Sequence, residues 1–281
     1  MSKKISIEQE KEIVEFYLSK PMTYQAIQEK FNLSSPTIGK ILKKYNVKPW
    51  NKSQIFSPDL RENYFENIDT EAKAYFLGLM ITDGNIFDNY KSANQLPNIN
   101  LTLNEKDKYI LECFKKELRL NKKITLDNRG CCQICCFSRT MANDLKKFGV
   151  VPQKTFITKF PTNIPETMHR HLIRGLIDGD GNISFHIRRN RKVHSKAIRL
   201  CGANEQFIED VKQFLLENVG LQSLYITKQN FQNPVWTLNC SNKRDLEILI
   251  HYLYDDATIY MKRKKNISEL ILNEIGQYRD N

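Results

Sequence analysis

The sequence predicts an α+β protein: a pseudo-symmetric pair of αββαββα halves, preceded by a small all-α unit. Three observations predict it. An apolar helical run with an internal glycine, ending in Asp-Gly-Asn-Ile, occurs twice without gaps, at Tyr75–Ile86 and Leu172–Ile183. Each copy leads into alternating segments and then helical ones, in the same order. Residues 5–46 carry only short helical patterns, broken at Pro21 and at Asn32-Leu33.

A first helix over Ile7–Leu18 has apolar Ile13, Val14, Phe16 and Tyr17, and Pro21 stops it. A second spans Thr23–Phe31 with Thr23 at its N-cap. A third starts at Ser34, with Pro36 in its first turn, and continues through Ile38, Ile41, Leu42 and Tyr45. Helix, tight turn, helix, with small Ala26 at the crossing, resembles the DNA-binding helix-turn-helix. That resemblance implies a third helix in the major groove, with Ser35, Thr37 and Lys40 nearest bases and phosphates. Lys40, Lys43, Lys44 and Lys48 supply matching charge. The alternative is a three-helix appendage that binds protein or nothing. This unit takes residues 1–48, and residues 49–67, with Pro49, Asn51, Ser53, Ser57 and Pro58, have no sustained period and read as a linker. The first half is then 68–165 and the second 166–281.

In the repeated run, Leu172, Ile173, Leu176 and Ile177 recur at helical spacing around Gly175. A glycine there costs about 1 kcal/mol against alanine. Close approach of a second helix would justify it, and the first copy has Gly78 at the same position. Gly179 and Gly181 then bracket Asp180. A carboxylate at a helix C-terminus opposes the macrodipole. If Gly78 and Gly175 let the two helices touch, Asp83 and Asp180 meet at one end. Two such carboxylates repel unless a divalent cation lies between them.

Both copies resemble the LAGLIDADG motif, and residues from about 68 onward resemble a single-chain, two-motif LAGLIDADG homing endonuclease. The resemblance implies a site-specific endonuclease. It would hydrolyse both strands of one long, imperfectly palindromic double-stranded DNA site and leave short 3′ overhangs. It implies divalent metal on Asp83 and Asp180, and Mg2+ suits an oxygen-only donor set that keeps waters. It also implies a basic residue from each half, for which Lys154 and Lys262 are the best matches. A polar residue ending the second strand, Asn104, would orient water, whereas the second half offers Gly202 in that place. The earlier acidic position of the motif is Asp178 in the second copy and Ile81 in the first, which makes the halves unequal. Two rivals stay open: a DNA-binding transcription regulator without cleavage, and an RNA-binding maturase acting on intron RNA.

In the first half, Asn98–Asn104 alternates strictly, so Ile99, Leu101 and Leu103 face a core while Asn98, Asn100, Thr102 and Asn104 face out. Exposed amides and hydroxyls suit base edges. In the second half Ile183, Phe185 and Ile187 should face inward, and Ser184, His186 and Arg188 outward. Ile198 and Leu200 should face inward and Arg199 outward. Between Gly181 and Asn204 stand Arg188, Arg189, Arg191, Lys192, Lys196 and Arg199, with no acid among them. On a two-stranded ribbon these read as phosphate contacts and a guanine reader. Tyr225, Thr227, Thr237 and Asn239 complete the expected DNA-facing set.

Composition agrees with this. At 281 residues, with 41% hydrophobic and 27% charged residues, the chain can bury two sizeable cores. A net charge of +11 favours a polyanion, which alone leaves nucleic acid and anionic membrane open. No apolar run approaches the roughly 20 residues that span a bilayer. Met1-Ser2-Lys3-Lys4 leads into an amphipathic helix and not a signal sequence, so a cytoplasmic, nucleoid or organelle-matrix monomer is expected, not a secreted one. Cys131, Cys132, Cys135 and Cys136 lie in a segment that reads as a strand, so alternate members should face opposite sides. Reduced strand residues are the first reading and a zinc site the second.

Overall fold

A computed structural model describes residues 5–19, 22–50, 55, 57–88, 96–151, 159–187, 194–229, 232 and 234–277. The chain divides into two compact units, residues 1–61 with 119–122, and residues 62–118 with 123–281.

The first unit holds α1 (Ile7–Ser19), α2 (Tyr24–Phe31) and α3 (Ser35–Lys44). Ile13, Tyr17, Met22, Ile27, Ile38, Ile41 and Leu42 form its core. Asn32 ends α2 in the left-handed region at φ 50°, where a short polar side chain is tolerated. Ser34 occupies the N-cap of α3, but its hydroxyl pairs with Thr37 Oγ1 at 2.8 Å and not with a backbone N–H. The segment that composition marks as a linker starts docked on this unit. The Trp50 backbone N–H donates to Tyr17 Oη at 2.9 Å, and its indole N–H to the Tyr17 carbonyl at 3.0 Å.

The second unit shows the expected order twice. The first half runs α4 (Glu71–Thr82), β1 (Gly84–Phe87), β2 (Asn98–Asn104), α5 (Lys108–Glu117), β3 (Thr125–Leu126), β4 (Cys131–Phe137) and α6 (Arg139–Lys147). The second runs α7 (His169–Asp180), β5 (Gly181–His186), β6 (Ser195–Gly202), α8 (Glu205–Val219), β7 (Leu224–Gln229), β8 (Val235–Cys240) and α9 (Lys243–Tyr254), with α10 (Lys262–Gln277) added. Each half folds its strands into a four-stranded antiparallel sheet, β1-β2-β4-β3 and β5-β6-β8-β7. Ile86, Ile99, Leu101, Leu103, Cys132, Ile134 and Cys136 are buried on one face of the first sheet. Cys131 and Cys135 share the other face with Gln133, as the two-residue period requires. Tyr64 and Phe65, at the far end of the expected linker, belong to this core and pack on Phe114 with ring centroids 6.4 and 6.3 Å away. Among the described residues no helix is long and apolar enough to cross a membrane.

Two sequence expectations on the second sheet fail. Ile187 lies past the end of β5 and is 73% exposed, so the inward series stops at Phe185. Lys196 is not a free cation of the ribbon, because Glu274 of α10 accepts from its ammonium at 2.6 Å. The balancing acid comes from about 80 residues downstream, beyond the reach of a local charge count.

Candidate active site and nucleic-acid interface

Helices α4 and α7 pack along their lengths, and the glycines set how closely. A Cβ on Gly78 would lie 2.4 Å from the Leu172 carbonyl oxygen, and one on Gly175 would lie 2.2 Å from that of Tyr75. Backbone contact of this kind carries through to the C-terminal ends. A Cβ on Gly179 would fall 2.0 Å from Thr82 Oγ1 and 2.6 Å from Asp83 Oδ2. The missing side chain of Gly179 is therefore the space that holds the Asp83 carboxylate. Asp83 caps α4 and is half-buried, with Thr82 Oγ1 at 3.0 Å from its Oδ2. Asp180 closes α7 and is exposed. The Asp83 carboxylate thus sits against the turn that carries Asp180. The Asp83 and Asp180 carboxylates, with the Thr82 hydroxyl beside them, are hard oxygen donors of the kind that suits a small divalent cation.

A lysine that sequence reasoning passed over sits beneath this end. Lys264 is buried, and its ammonium donates to the carbonyls of Ile177 (2.5 Å), Asp178 (2.6 Å) and Gly181 (2.8 Å). It adds a cationic donor to carbonyls at and just past the helix C-terminus and so offsets the dipole beside Asp180. Burial lowers its pKa to about 8, against the pull of Asp178 and Asp83. The signal was present: Lys264, Ser268, Ile271 and Ile275 are on the buried face of α10 at helical spacing. Lys262, the expected lysine, is exposed, with its ammonium 5.0 Å from the Tyr109 ring centroid. Asn104 is exposed and its carbonyl oxygen caps the following turn, accepting from the Lys106 N–H at 3.1 Å. Lys154 lies outside the described residues.

Asp178 and Arg174 build a second polar layer deeper between the helices. Asp178 is fully buried. Its Oδ2 accepts from Tyr75 Oη at 2.8 Å and from the Met261 N–H at 2.7 Å, and its Oδ1 from Tyr254 Oη at 3.3 Å. Burial raises its pKa, the neighbouring donors and Lys264 opposing. Arg174, also fully buried, donates to Glu71 Oε1 at 2.5 Å and to the carbonyls of Ile259 and Leu253. Glu71 further accepts from Thr258 and Ile259.

On the polar face of the second sheet Arg199 spans three strands. Its Nη1 donates to Ser184 Oγ and its Nε to Asn239 Oδ1, both at 3.2 Å. Asn239 donates in turn to the Thr237 carbonyl at 2.8 Å and to Thr227 Oγ1 at 3.2 Å. Ser184, Thr237, Asn239 and, in the first sheet, Asn100 lie on the expected face but are buried, not exposed. These are short side chains on inner positions, covered by longer neighbours such as Arg199. His186, Tyr225 and Thr227 are exposed, and Asn98 and Thr102 half-buried. Sequence reasoning missed Asn85 and Gln133, which the register places opposite Asn100 and Thr102. Arg188, Arg189, Arg191 and Lys192 lie outside the described residues. In the first unit, Ser35 and Lys40 are exposed and Thr37 half-buried. Ser35 donates to Gln28 Oε1 at 3.1 Å, and Lys44 is paired with Glu10.

Residues 167–253 match a family model described as a LAGLIDADG-like domain. Among solved structures, the chain is similar to the I-LtrWI LAGLIDADG homing endonuclease bound to target DNA, at 15% identity and TM-score 0.52, covering 75% of this chain and 92% of that one. It is similar to the LAGLIDADG meganuclease I-AabMI bound to uncleaved DNA, at 14% identity and TM-score 0.54, with the same coverage. A curated relative, the DNA-directed RNA polymerase subunit Rpo1C of Methanocaldococcus jannaschii, is 26% identical over 200 residues, which is 66% of this chain. The chain spans 21% of that relative's length.

Proposed function

From a chain that carries a LAGLIDADG-like domain on the LAGLIDADG homing endonuclease fold, we infer a metal-dependent endonuclease that cuts both strands of a long, imperfectly palindromic DNA site. The observation that carries the reading is the seating of the Asp83 carboxylate against Gly179, beside Asp180. No stability argument places two acids at abutting helix C-termini. Asp83 and Asp180 would hold divalent metal, Mg2+ by donor type, which supplies charge neutralisation at the phosphate and an acidified water. Lys264 neutralises the α7 terminus from below. The two polar sheet faces, with Tyr225, Thr227 and His186 exposed and Arg199 held in place, track the duplex on either side. The helical unit adds a second DNA contact through α3, tethered and so at raised effective concentration.

The experiment is a plasmid carrying the target, incubated with Mg2+ and with Asp83→Asn, Asp180→Asn or the double variant. Each single change is expected to abolish double-strand cleavage while leaving target binding in place. Cutting by the double variant overturns the assignment. Specific binding by the unmodified protein, with no cut ends in Mg2+, overturns it in favour of a DNA-binding regulator.

A further inference from the structure

The two motifs differ in charge at two buried positions, Leu77 against Arg174 and Ile81 against Asp178, and the second of these bears on the acidic end. Asp178 does not sit at the acidic end of the helix pair. Its side chain instead reaches the start of α10: Oδ2 accepts from the Met261 N–H at 2.7 Å. Three residues on, Lys264 returns the contact by donating to Asp178's own carbonyl at 2.6 Å, and to those of Ile177 and Gly181 on either side. The two bonds close a ring. Side chain 178 fixes backbone 261, and side chain 264 fixes backbone 177–181, the turn that carries Asp180. Tyr75 Oη, from α4, bonds the same Oδ2 at 2.8 Å, so the first half is tied into the ring as well. Ile81 can accept no hydrogen bond, and the first motif therefore has no counterpart through that position.

Resting on the endonuclease reading, we propose that Asp178 is a positioning residue: it locks α10 to α7 and so fixes Lys264 and the turn of Asp180 for one of the two cleavage events. Removing it leaves Lys264 without the bonded loop that holds it under the motif. The Asp180 turn then loses its fixed geometry while the Asp83 side keeps its own. Misplacement of this kind costs on the order of 10–100-fold in rate without loss of binding. The loss falls on one strand.

The test follows a supercoiled target plasmid with Asp178→Ala in Mg2+. The expected result is accumulation of nicked circle, with the same strand uncut in every molecule by primer extension, and target affinity within about threefold of the unmodified protein. Asp178→Asn should restore most of the second cut. Its Oδ1 still accepts from Met261 and Tyr75, and the Tyr254 hydroxyl can turn to accept from the amide. A second readout needs no cleavage. Lys264 should be protected from acetic anhydride in the unmodified protein and labelled in Asp178→Ala, with Lys262 labelled in both. Linearisation at the unmodified rate, nicks spread over both strands, or a Lys264 equally protected in both proteins overturns the proposal. If Asp178→Ala fails to unfold cooperatively, Tyr75→Phe replaces it, and a partial, single-strand defect is expected. An unmodified protein that cuts nothing sinks the endonuclease reading, while the labelling still decides the lock.

Discussion

Gly78 and Gly175 lie backbone to backbone: a Cβ on Gly78 would fall 2.8 Å from the Gly175 Cα, and one on Gly175 would fall 3.0 Å from the Gly78 Cα. Neither neighbour is a flexible side-chain end that could move aside.

Gly78→Ala or Gly175→Ala is therefore expected to destabilise the second unit by about 1–3 kcal/mol or more. For a domain of this size each kcal/mol lowers Tm by roughly 2–4 °C. Thermal unfolding checks it, and an unchanged Tm would mean the helices do not touch.

Gly39 is the opposite case. Among the described residues, and apart from its own helix, the one atom within 4 Å of an added Cβ is Tyr24 Cε2, at 4.0 Å, and Gly39 lies inside α3. Gly39→Ala should stabilise the helical unit by about 0.5–1 kcal/mol, through helix propensity and a less free unfolded chain. The unfolding of that unit would move upward in temperature. A matching loss of DNA affinity would show that the α3 backbone needs that close approach.

The repeat made most of the fold legible, because a gapless match of two glycine-centred helices carries packing, order and symmetry together. What stayed hidden depends on residues distant in sequence. Glu274 neutralises Lys196, and Arg199 lies across three strands, covering Ser184 and Asn239. The period of two gave the correct face for Asn100, Thr237 and Asn239 but not their burial, since alternation does not say which strands are central. The burial of Lys264 was readable only from the helical period of α10, which puts Lys264, Ser268, Ile271 and Ile275 on one face.

His171 gives a pH dependence. Burial first, then Arg174 and Arg170, lower its pKa from 6.5 to about 4, with Glu71 opposing. The unfolded chain binds a proton near pH 6.5 that the folded chain refuses, so stability falls as pH drops from about 6.5 to about 4. The loss reaches up to ~3 kcal/mol. His171→Gln should flatten this part of the profile, seen as the difference in Tm between the two proteins from pH 7 to pH 4.5. Parallel profiles would exclude the group.

Arg199 is held by Ser184 and Asn239 before any DNA arrives, so little side-chain freedom remains to be lost on binding. Arg199→Ala should weaken target binding by about 1–3 kcal/mol and non-specific binding by less. Titration against target and scrambled duplexes at two salt concentrations separates the terms. Equal losses on both would make Arg199 a phosphate contact only.

The Glu71–Arg174 pair bears on how the two halves can be recombined. By the motif alignment, Met168 is the second half's residue at the place of Glu71, and Leu77 the first half's at the place of Arg174. A homodimer of second halves would set the fully buried Arg174 against methionine, and one of first halves would set Glu71 against leucine. Stranding the buried Arg174 costs several kcal/mol, about 3–5 by analogy with broken buried pairs, and the partly exposed Glu71 less. The two halves are thus committed to each other, and a hybrid built by grafting one onto a foreign mate must carry this acid–base couple across the seam.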